Sequence, residues 1–241
     1  PKFNYLLASF TIILLPCGLI VIQPDLGTSL LVATSGLLVI WLAGLQWRYV
    51  FGAVLGVVAS AWPLWHFALQ GYQRQRILTL FNPESDRLGA GWNIIQSKTA
   101  IGSGGWAGKG WLNGTQSQLE FLPESHTDFI IAVLAEEFGL LGVSIIIILF
   151  AFLVVRMFGI AKESIQNKKP FSALMAQGIG LWFGIQGIIN MGVNLGLFPT
   201  KGLTLPLLSY GGTGILINMI SIAIVLKIDF DNRRSMRGQF Y

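Results

Sequence analysis

The chain has 241 residues, of which 53% are hydrophobic and 11% are charged, and its mean hydropathy is +0.65. A soluble domain of this length does not need so much apolar surface, so the composition excludes an ordinary soluble protein and predicts an integral membrane protein. The net charge is +5, but the cations are dispersed and form no basic face interleaved with aromatic residues, so nucleic acid is not an expected partner. The one cysteine, Cys17, is expected to be a small core residue.

Charged residues divide the chain into six long uncharged stretches, each near the ~20 residues that one bilayer crossing needs. The sequence therefore predicts an all-α integral membrane protein, a polytopic helical bundle forming a single transmembrane domain over residues 1–241. The predicted spans are about 4–22, 27–45, 49–70, 129–155, 172–197 and 209–227. A large loop at 71–128 separates the third span from the fourth, and a tail follows at 228–241.

Lysine and arginine residues collect on one side if the six spans alternate in direction. That side carries Lys2, the basic loop at 156–169 and the basic tail at 233–237. The positive-inside rule places this side in the cytoplasm and the large loop outside. We therefore expect a multi-pass protein whose loop at 71–128 and whose tail at 228–241 face opposite sides of the membrane.

An aspartate stands at the predicted turn between the first two spans, in the segment Gln23-Pro24-Asp25-Leu26-Gly27. Proline ends the first helix there, because it cannot continue the hydrogen-bond ladder. Asp25 is then either the N-cap of the second span, where its carboxylate accepts amide hydrogens, or one half of a buried ion pair. Both interpretations stay open.

The loop at 71–128 is polar but also carries aromatic residues. Apolar and polar side chains mixed over 92–98 predict a short amphipathic helix on the membrane surface. The glycine-rich stretch at 102–110 lacks the strand and helix context of a nucleotide-binding loop. A disordered linker would not carry so many aromatic residues, so an ordered loop docked on membrane lipids is expected. The aromatic residues include Tyr72, Phe81, Trp92, Trp106 and Trp111.

A carboxylate precedes the fourth span in the segment FLPESHTDFI. If the helix begins there, at about 100° per residue, Asp128 heads a stripe of small side chains. The stripe consists of Ala132, Ala135, Gly139 and Gly142. Such a face either permits close helix packing or lines a groove for a lipid tail. Glu136 and Glu137 point in two other directions, so they are not expected to share one role.

Two later segments place polar groups and irregular backbone at membrane depth. Gln186, Asn190 and Asn194 are spaced by four and predict interhelical hydrogen bonds along the fifth span. Prolines and glycines at 198–214 predict irregular backbone, which is tolerated only where protein buries it or a cavity hydrates it.

Few kinds of chemistry fit the remaining residues. The two histidines and one cysteine are widely separated, so no zinc site is expected. Carboxylates at the outward face leave Mg²⁺ open as a cofactor, held together with a substrate diphosphate. No Ser/His/Asp arrangement and no Walker loop can be recognised. What remains is a set of carboxylates near outward cations.

Four segments are similar to the SEDS family of peptidoglycan polymerases. They are the run YQRQR at 72–76, the segment NPESDRLGAGWNIIQSKTAIGSGGWAGKGWLNGTQSQLEFLPESHTDFI, the turn QPDLGT and the late LPLLSYGG. The long loop is most similar to the elongation branch, RodA, whereas the last loop is as similar to the division branch, FtsW. The family fold has ten spans, and this sequence resembles its C-terminal six.

The resemblance implies a glycosyltransferase that extends glycan strands from lipid II on the outer face of the bacterial cytoplasmic membrane. The family's catalytic aspartate matches Asp128, which is expected to act as general base in an inverting transfer. The family also pairs the aspartate of the PDLG turn, here Asp25, with a cation in an earlier span. The implied partner protein is a class B penicillin-binding protein, which crosslinks the new strand.

Cations and polar groups around Asp128 are the candidates for binding the lipid II diphosphate and sugars. They are Lys98, Lys109, Lys201, Arg74, Arg76, Glu120 and His126. Interfacial anchoring is the alternative role for each cation. A lipid II flippase and a non-catalytic scaffold for the penicillin-binding protein are the alternative functions, since polar residues and irregular backbone within the membrane also suit a transporter.

Overall fold

The computed structural model describes residues 3–23, 25–63, 66, 71–86, 89–119, 121–200 and 202–236. Within these ranges the chain forms helices and turns without strands, which confirms the predicted all-α class. The helices are α1 (Phe3–Ile22), α2 (Leu26–Leu42), α3 (Trp47–Pro63), α4 (Gly71–Phe81), α5 (Ala90–Gly104), α6 (Thr115–Gln118), α7 (Ile130–Gln166), α8 (Pro170–Asn194) and α9 (Gly212–Met236). A single 3₁₀ turn, Pro83–Asp86, lies between α4 and α5.

Three of these helices are long and apolar enough to cross a membrane, and they coincide with the last three predicted spans. They are α7, α8 and α9. In the first half of the chain, α1 and α2 contain shorter apolar stretches, Leu6–Ile22 and Leu26–Leu42. Helix α3 covers only the first part of the predicted third span, whose residues 64–65 and 67–70 lie outside the described residues. The multi-pass class is confirmed, and the count of six spans stays a prediction.

Two of the three long helices, α7 and α9, end later than the sequence predicts, whereas α8 ends at Asn194, earlier than the predicted 197. Helix α7 reaches Gln166, and α9 continues to Met236 through most of the predicted tail. Ion pairs one turn apart support the end of α9: Lys227 pairs with Asp231, and Arg233 pairs with Asp229. Arg233 and Arg234 also lie in the last turn, where positive charge is favoured by the helix dipole. Charged residues therefore lengthen this helix beyond its apolar span.

The chain divides into two compact units. The first comprises Pro1–Ala68, Val154–Ile185 and Ser221–Tyr241, and the second comprises Leu69–Leu153 and Gln186–Ile220. In the first unit, Cys17 and Ser29 are both buried and exchange side-chain to carbonyl hydrogen bonds between α1 and α2. Cys17 is therefore the core residue that its position predicted.

Asp25 forms the N-cap of α2. Its carboxylate accepts the Thr28 amide at 3.2 Å and the Thr28 hydroxyl at 2.6 Å. This confirms the capping interpretation, and the ion pair with a cation in an earlier span stays a prediction.

Elsewhere in the first unit, Arg156 on α7 bonds to Glu163 at 3.1 Å and to Asp229 of α9 at 2.9 Å, and so links the two helices.

In the second unit, α7 is kinked at Gly139, whose φ of +65° and ψ of −165° are not helical. Such a φ suits glycine, which has no Cβ. The kink separates two amides, Leu140 and Leu141, from the carbonyls of Glu136 and Glu137 to which a straight helix would bind them. The glycine-rich loop at 105–110 binds all four groups.

The loop uses its own backbone as a substitute for the two missing helical hydrogen bonds. Its amides at 109 and 110 donate to the Glu136 and Glu137 carbonyls, both at 2.9 Å. Its carbonyls at 105 and 106 accept from the Leu140 and Leu141 amides, at 2.9 and 3.1 Å. No side chain would fit at Gly108, where a Cβ would lie 2.1 Å from the Glu137 oxygen, or at Gly139, where a Cβ would lie 2.4 Å from the Gly108 nitrogen. These two glycines are therefore required by the close backbone contact.

The small-residue stripe has a different role from the lipid groove that the sequence allowed. Asp128 lies in the turn before α7, so the prediction that it heads a helical face is wrong. Ala132 and Ala135 are buried, and Gly104 of α5 packs directly on the Ala135 carbonyl. The kink then ends the stripe at Gly139. The helix expected around 92–98 is present as α5, with Ile94 and Ser97 fully buried.

The substitution Gly104→Ala is expected to destabilise the second unit, because its Cβ would lie 1.8 Å from the Ala135 oxygen. Overpacking of this kind costs about 1–3 kcal/mol. Gly102→Ala is the matched control on the same helix, since nothing lies within 4 Å of its Cβ. The thermal unfolding midpoint of the full-length protein in detergent should fall for Gly104→Ala only. Equal midpoints for both variants would contradict the close contact.

Candidate functional site

The candidate site is built on the turn that precedes α7, residues 124–129, which we call the acidic turn. Three successive amides, those of Thr127, Asp128 and Phe129, donate to the Glu124 carbonyl at 3.2 Å each. Glu124 itself has φ +56°, a left-handed conformation that costs a non-glycine residue about 1–2 kcal/mol. Its side chain accepts the Thr127 hydroxyl at 2.8 Å. Strain of this kind is retained where the surroundings hold the backbone firmly.

The segment that contains the SYGG motif holds the acidic turn from one side. The Ser209 hydroxyl donates to the Thr127 carbonyl at 2.5 Å and accepts the Leu205 amide at 2.7 Å. The Tyr210 amide donates to the His126 carbonyl at 2.9 Å. Ser209 is only 3% exposed, so both of its hydrogen bonds are shielded from water.

The polar stripe of α8 holds the same turn from another side. Asn190 and Asn194 each donate to the Asp128 carbonyl at 2.9 Å, and both side chains are buried. The Asn194 side-chain oxygen accepts the Ala132 amide at 3.1 Å, and Asn190 also donates to the Leu203 carbonyl at 2.6 Å. Of the three residues in this stripe, Asn194 forms the predicted interhelical hydrogen bond, to the Ala132 amide of α7, whereas Gln186 and Asn190 bond to carbonyls of turns and loops. That Asn190 and Asn194 bind the Asp128 carbonyl had no signal in the sequence.

The Asp128 carboxylate is half-buried beside the last loop. One of its oxygens lies 3.3 Å from the position that a Cβ on Gly202 would take. Burial, and secondly the negative charge of Glu124, raise the pKa of Asp128 to about 6. A carboxyl with this pKa is mostly ionised at neutral pH and is also basic enough to accept a proton, which suits general-base catalysis.

A cavity of about 710 Å³ adjoins the acidic turn. One wall is the first two turns of α7, with Ile130, Val133, Leu134 and Glu137 on one helical face. The other wall is the loop from Trp111 to His126. The lining combines apolar side chains with carboxylates, an imidazole and an amide, so the cavity suits a ligand that is both polar and apolar.

Lys109 is bound within the protein. Its ammonium lies 2.6 Å from Glu136, whose side chain is completely buried. The same Glu136 oxygen accepts the amide and hydroxyl of Thr115, at 2.8 and 2.9 Å. This ion pair ties the glycine-rich loop and the start of α6 to α7. The structure thus gives Lys109 a structural contact, in addition to the substrate role that the sequence predicted.

The other predicted site residues lie at several places. His126 is exposed on the acidic turn, and exposed Lys98 of α5 packs on Gly196, just after α8. Arg74 and Arg76 lie on α4, with Arg74 the less exposed. Lys201 and Glu120 lie outside the described residues. The fold therefore joins Asp128 and His126 in one turn, whereas Arg74 and Arg76 lie on a separate helix, α4.

Among the described residues, no group of three or more His, Cys, Asp or Glu side chains is arranged to hold a metal ion. Carboxylates and a substrate diphosphate together can still bind Mg²⁺. A requirement for Mg²⁺ therefore stays a prediction.

These features define a class: a polytopic helical membrane protein with a half-buried carboxylate just before a membrane helix, on a turn whose other residues line an amphipathic cavity. The family described as "Cell cycle protein", FtsW/RodA/SpoVE, matches residues 1–234. The chain belongs to this family.

Known relatives agree with this assignment. The peptidoglycan glycosyltransferase MrdB of Escherichia coli (strain K12) is 50% identical over 220 residues, which cover 91% of this chain and 59% of that protein. The probable peptidoglycan glycosyltransferase FtsW of Neisseria gonorrhoeae (strain NCCP11945) is 42% identical over 243 residues, covering 98% and 51%. The chain thus spans between half and three-fifths of the length of these two relatives.

Solved structures share the fold. A chain from a study of how a peptidoglycan synthase complex coordinates polymerization and crosslinking has a TM-score of 0.74 and is 31% identical, covering 96% of this chain and 63% of that one. A crystal structure of a mutant of the Thermus thermophilus rod shape determining protein RodA has a TM-score of 0.62 and is 26% identical, covering 96% and 59%. The resemblance to the SEDS family seen in the motifs is therefore confirmed.

Lys109→Met is expected to destabilise the full-length protein by about 3–5 kcal/mol, because it leaves the buried Glu136 carboxylate without its partner. Lys227→Met is the control, since it removes an exposed pair worth about 0–1 kcal/mol. Chemical unfolding in detergent, followed by tryptophan fluorescence, measures both. If Lys109→Met unfolds like the unaltered protein but loses substrate affinity, Lys109 serves the substrate and not the fold.

Proposed function

We propose that the full-length protein is a peptidoglycan glycosyltransferase that polymerises lipid II into glycan strands, with Asp128 as the general base. The observation that carries the proposal is the half-buried Asp128 carboxylate, with its pKa raised to about 6, on a turn held from two sides. Membership of the FtsW/RodA/SpoVE family and the names of the relatives support the reaction.

The proposed reaction is an inverting displacement. The acceptor sugar hydroxyl attacks the anomeric carbon of the donor, forming a new C–O bond while the bond to the lipid diphosphate breaks. The hydroxyl proton passes to Asp128, and the bond electrons leave with the diphosphate. Inversion needs one base and no covalent enzyme intermediate. A base with a pKa near neutrality is the favourable compromise between ionisation and proton affinity.

Cations would stabilise the departing diphosphate. Lys98, Lys201, Arg74 and Arg76 remain candidates for this role. Lys109 is less suited, because its ammonium already neutralises Glu136. The acceptor and donor sugars would meet the acidic turn and its adjoining cavity, where His126, Glu124 and Gln118 offer hydrogen-bonding groups. Glu120 is a further polar candidate close to this segment in sequence.

The positive-inside pattern supports placing the acidic turn on the outer face of a bacterial cytoplasmic membrane. The similarity of the long loop to the RodA branch supports a role in cell elongation. The related chain from a peptidoglycan synthase complex supports a partner that crosslinks strands, a class B penicillin-binding protein. These three assignments are parts of the proposal.

Asp128→Asn should abolish strand synthesis by the full-length protein from purified lipid II in detergent, with a loss of about 10²–10⁴-fold as expected for a general base. Asp231→Asn, which alters a carboxylate in an exposed ion pair of α9, is the control. Products are measured by gel electrophoresis of labelled strands. Detergent leaves no membrane to cross, so a flippase or scaffold would make no strands even when unaltered, and full activity of Asp128→Asn would contradict the base assignment.

The rate should rise with pH through about 6, because Asp128 accepts a proton only when it is ionised. The negative charge of Glu124 raises this pKa, so Glu124→Gln should lower it and move the acid limb to lower pH. The shift should be partial, since burial is the larger cause. Glu163→Gln, in the first unit, should leave the profile of kcat/KM unchanged. A Glu124→Gln profile that moves to higher pH would contradict the assignment.

A further inference from the structure

The side-chain amide of Asn194 occupies both ends of a hydrogen bond that α7 would otherwise form within itself. In an uninterrupted helix the Ala132 amide donates to the carbonyl four residues earlier, which is that of Asp128. Here the Ala132 amide is shared between the Phe129 carbonyl, at 3.0 Å, and the Asn194 oxygen, at 3.1 Å, while the Asp128 carbonyl accepts the Asn194 nitrogen at 2.9 Å. The Asn194 side chain therefore bridges the amide and the carbonyl that a helical hydrogen bond would join directly.

The hydrogen bonds of Asn194 to the Ala132 amide and the Asp128 carbonyl lie where α7 begins. The helix starts at Ile130, and the amides of Asp128 and Phe129 bond back to the Glu124 carbonyl in the acidic turn. With Asn194 in place, the Asp128 carbonyl is directed at α8 instead of along the α7 axis. The Asp128 side chain consequently leaves the small-residue face of α7 and lies beside Gly202.

Burial and further hydrogen bonds hold the Asn194 side chain in this position. Asn194 is completely buried, and its nitrogen also donates to the Asn190 carbonyl at 2.9 Å. Its own carbonyl accepts the Ser97 hydroxyl of α5 at 2.7 Å, which fixes the end of α8. Buried polar groups are costly unless they are fully bonded, so this amide is held in one orientation.

We propose that Asn194 is a positioning residue for the reaction: by interrupting the Asp128 to Ala132 helical bond, it keeps Asp128 out of α7 and directs the carboxylate at the substrate. This inference rests on the proposed function, in which Asp128 is the base. Without the Asn194 amide, the Ala132 amide can bond to the Asp128 carbonyl, α7 extends by one residue toward Asp128, and the carboxylate moves with it.

Three alanine variants of the full-length protein separate this role from general support of the fold. Asn194→Ala removes both contacts. Asn190→Ala removes one donor to the Asp128 carbonyl but leaves Asn194 in place. Gln186→Ala is the control in the same stripe, because the Gln186 side chain donates to the Thr204 carbonyl and touches neither Asp128 nor Ala132.

Strand synthesis in detergent, measured well below the lowest unfolding midpoint, gives kcat and KM for lipid II. Asn194→Ala should lower kcat about 10²-fold, as misplacement of a reacting group by about 1 Å does, with KM within about twofold. Asn190→Ala should lower kcat less, and Gln186→Ala should change the unfolding midpoint only. If Asn194→Ala does not fold, Asn194→Leu replaces it, since a side chain of similar volume fills the same space without a donor or an acceptor.

The outcomes distinguish the two proposals. A kcat for Asn194→Ala, or for Asn194→Leu, equal to that of Gln186→Ala would overturn the positioning role, provided that Asp128→Asn is inactive. If Asp128→Asn itself retains full activity, the assignment of the base fails first, and the positioning role fails with it.

Discussion

Satisfaction of backbone hydrogen bonds at membrane depth is the constraint on which this structure depends, because lipid offers no alternative partner for a free amide or carbonyl. Helix α7 departs from that ideal twice, before Ile130 and again at Gly139. In both places a neighbouring segment binds the amide and the carbonyl that an unbroken helix would join to each other. The Asn194 amide does so at the first interruption, and the backbone of the glycine-rich loop does so at the second.

The two interruptions explain why the long loop is ordered. Gly108 is needed where the loop backbone lies against α7, and Lys109 then neutralises the fully buried Glu136 carboxylate beside this contact. At the other interruption, three buried polar side chains bind two consecutive carbonyls of the acidic turn. Asp128 is thereby held half-buried at the start of a helix, and that partial burial is the main cause of its raised pKa.

The acidic residues of this region consequently have separate roles. Glu136 is buried and paired, and it belongs to the packing of the loop. Glu124 shapes the acidic turn through its strained backbone and raises the pKa of Asp128 through its charge. Asp128 combines partial exposure with a pKa raised to about 6, so an assignment of catalysis to any nearby carboxylate would miss these separate roles.

Hydropathy and charge spacing by themselves determined the membrane class and the places of the long spans, and local residue patterns predicted the ordered loop and the cap at Asp25. The choice of Asp128 as the base rests on the resemblance of the segment FLPESHTDFI to the SEDS family. Tertiary structure alone decided the start and kink of α7, the pairing of Lys109 with Glu136, and the attachment of Asn190 and Asn194 to the acidic turn. Each of these joins residues that are distant in the chain. Helical periodicity assumes an unbroken hydrogen-bond ladder, and it therefore cannot show where a neighbouring segment interrupts that ladder.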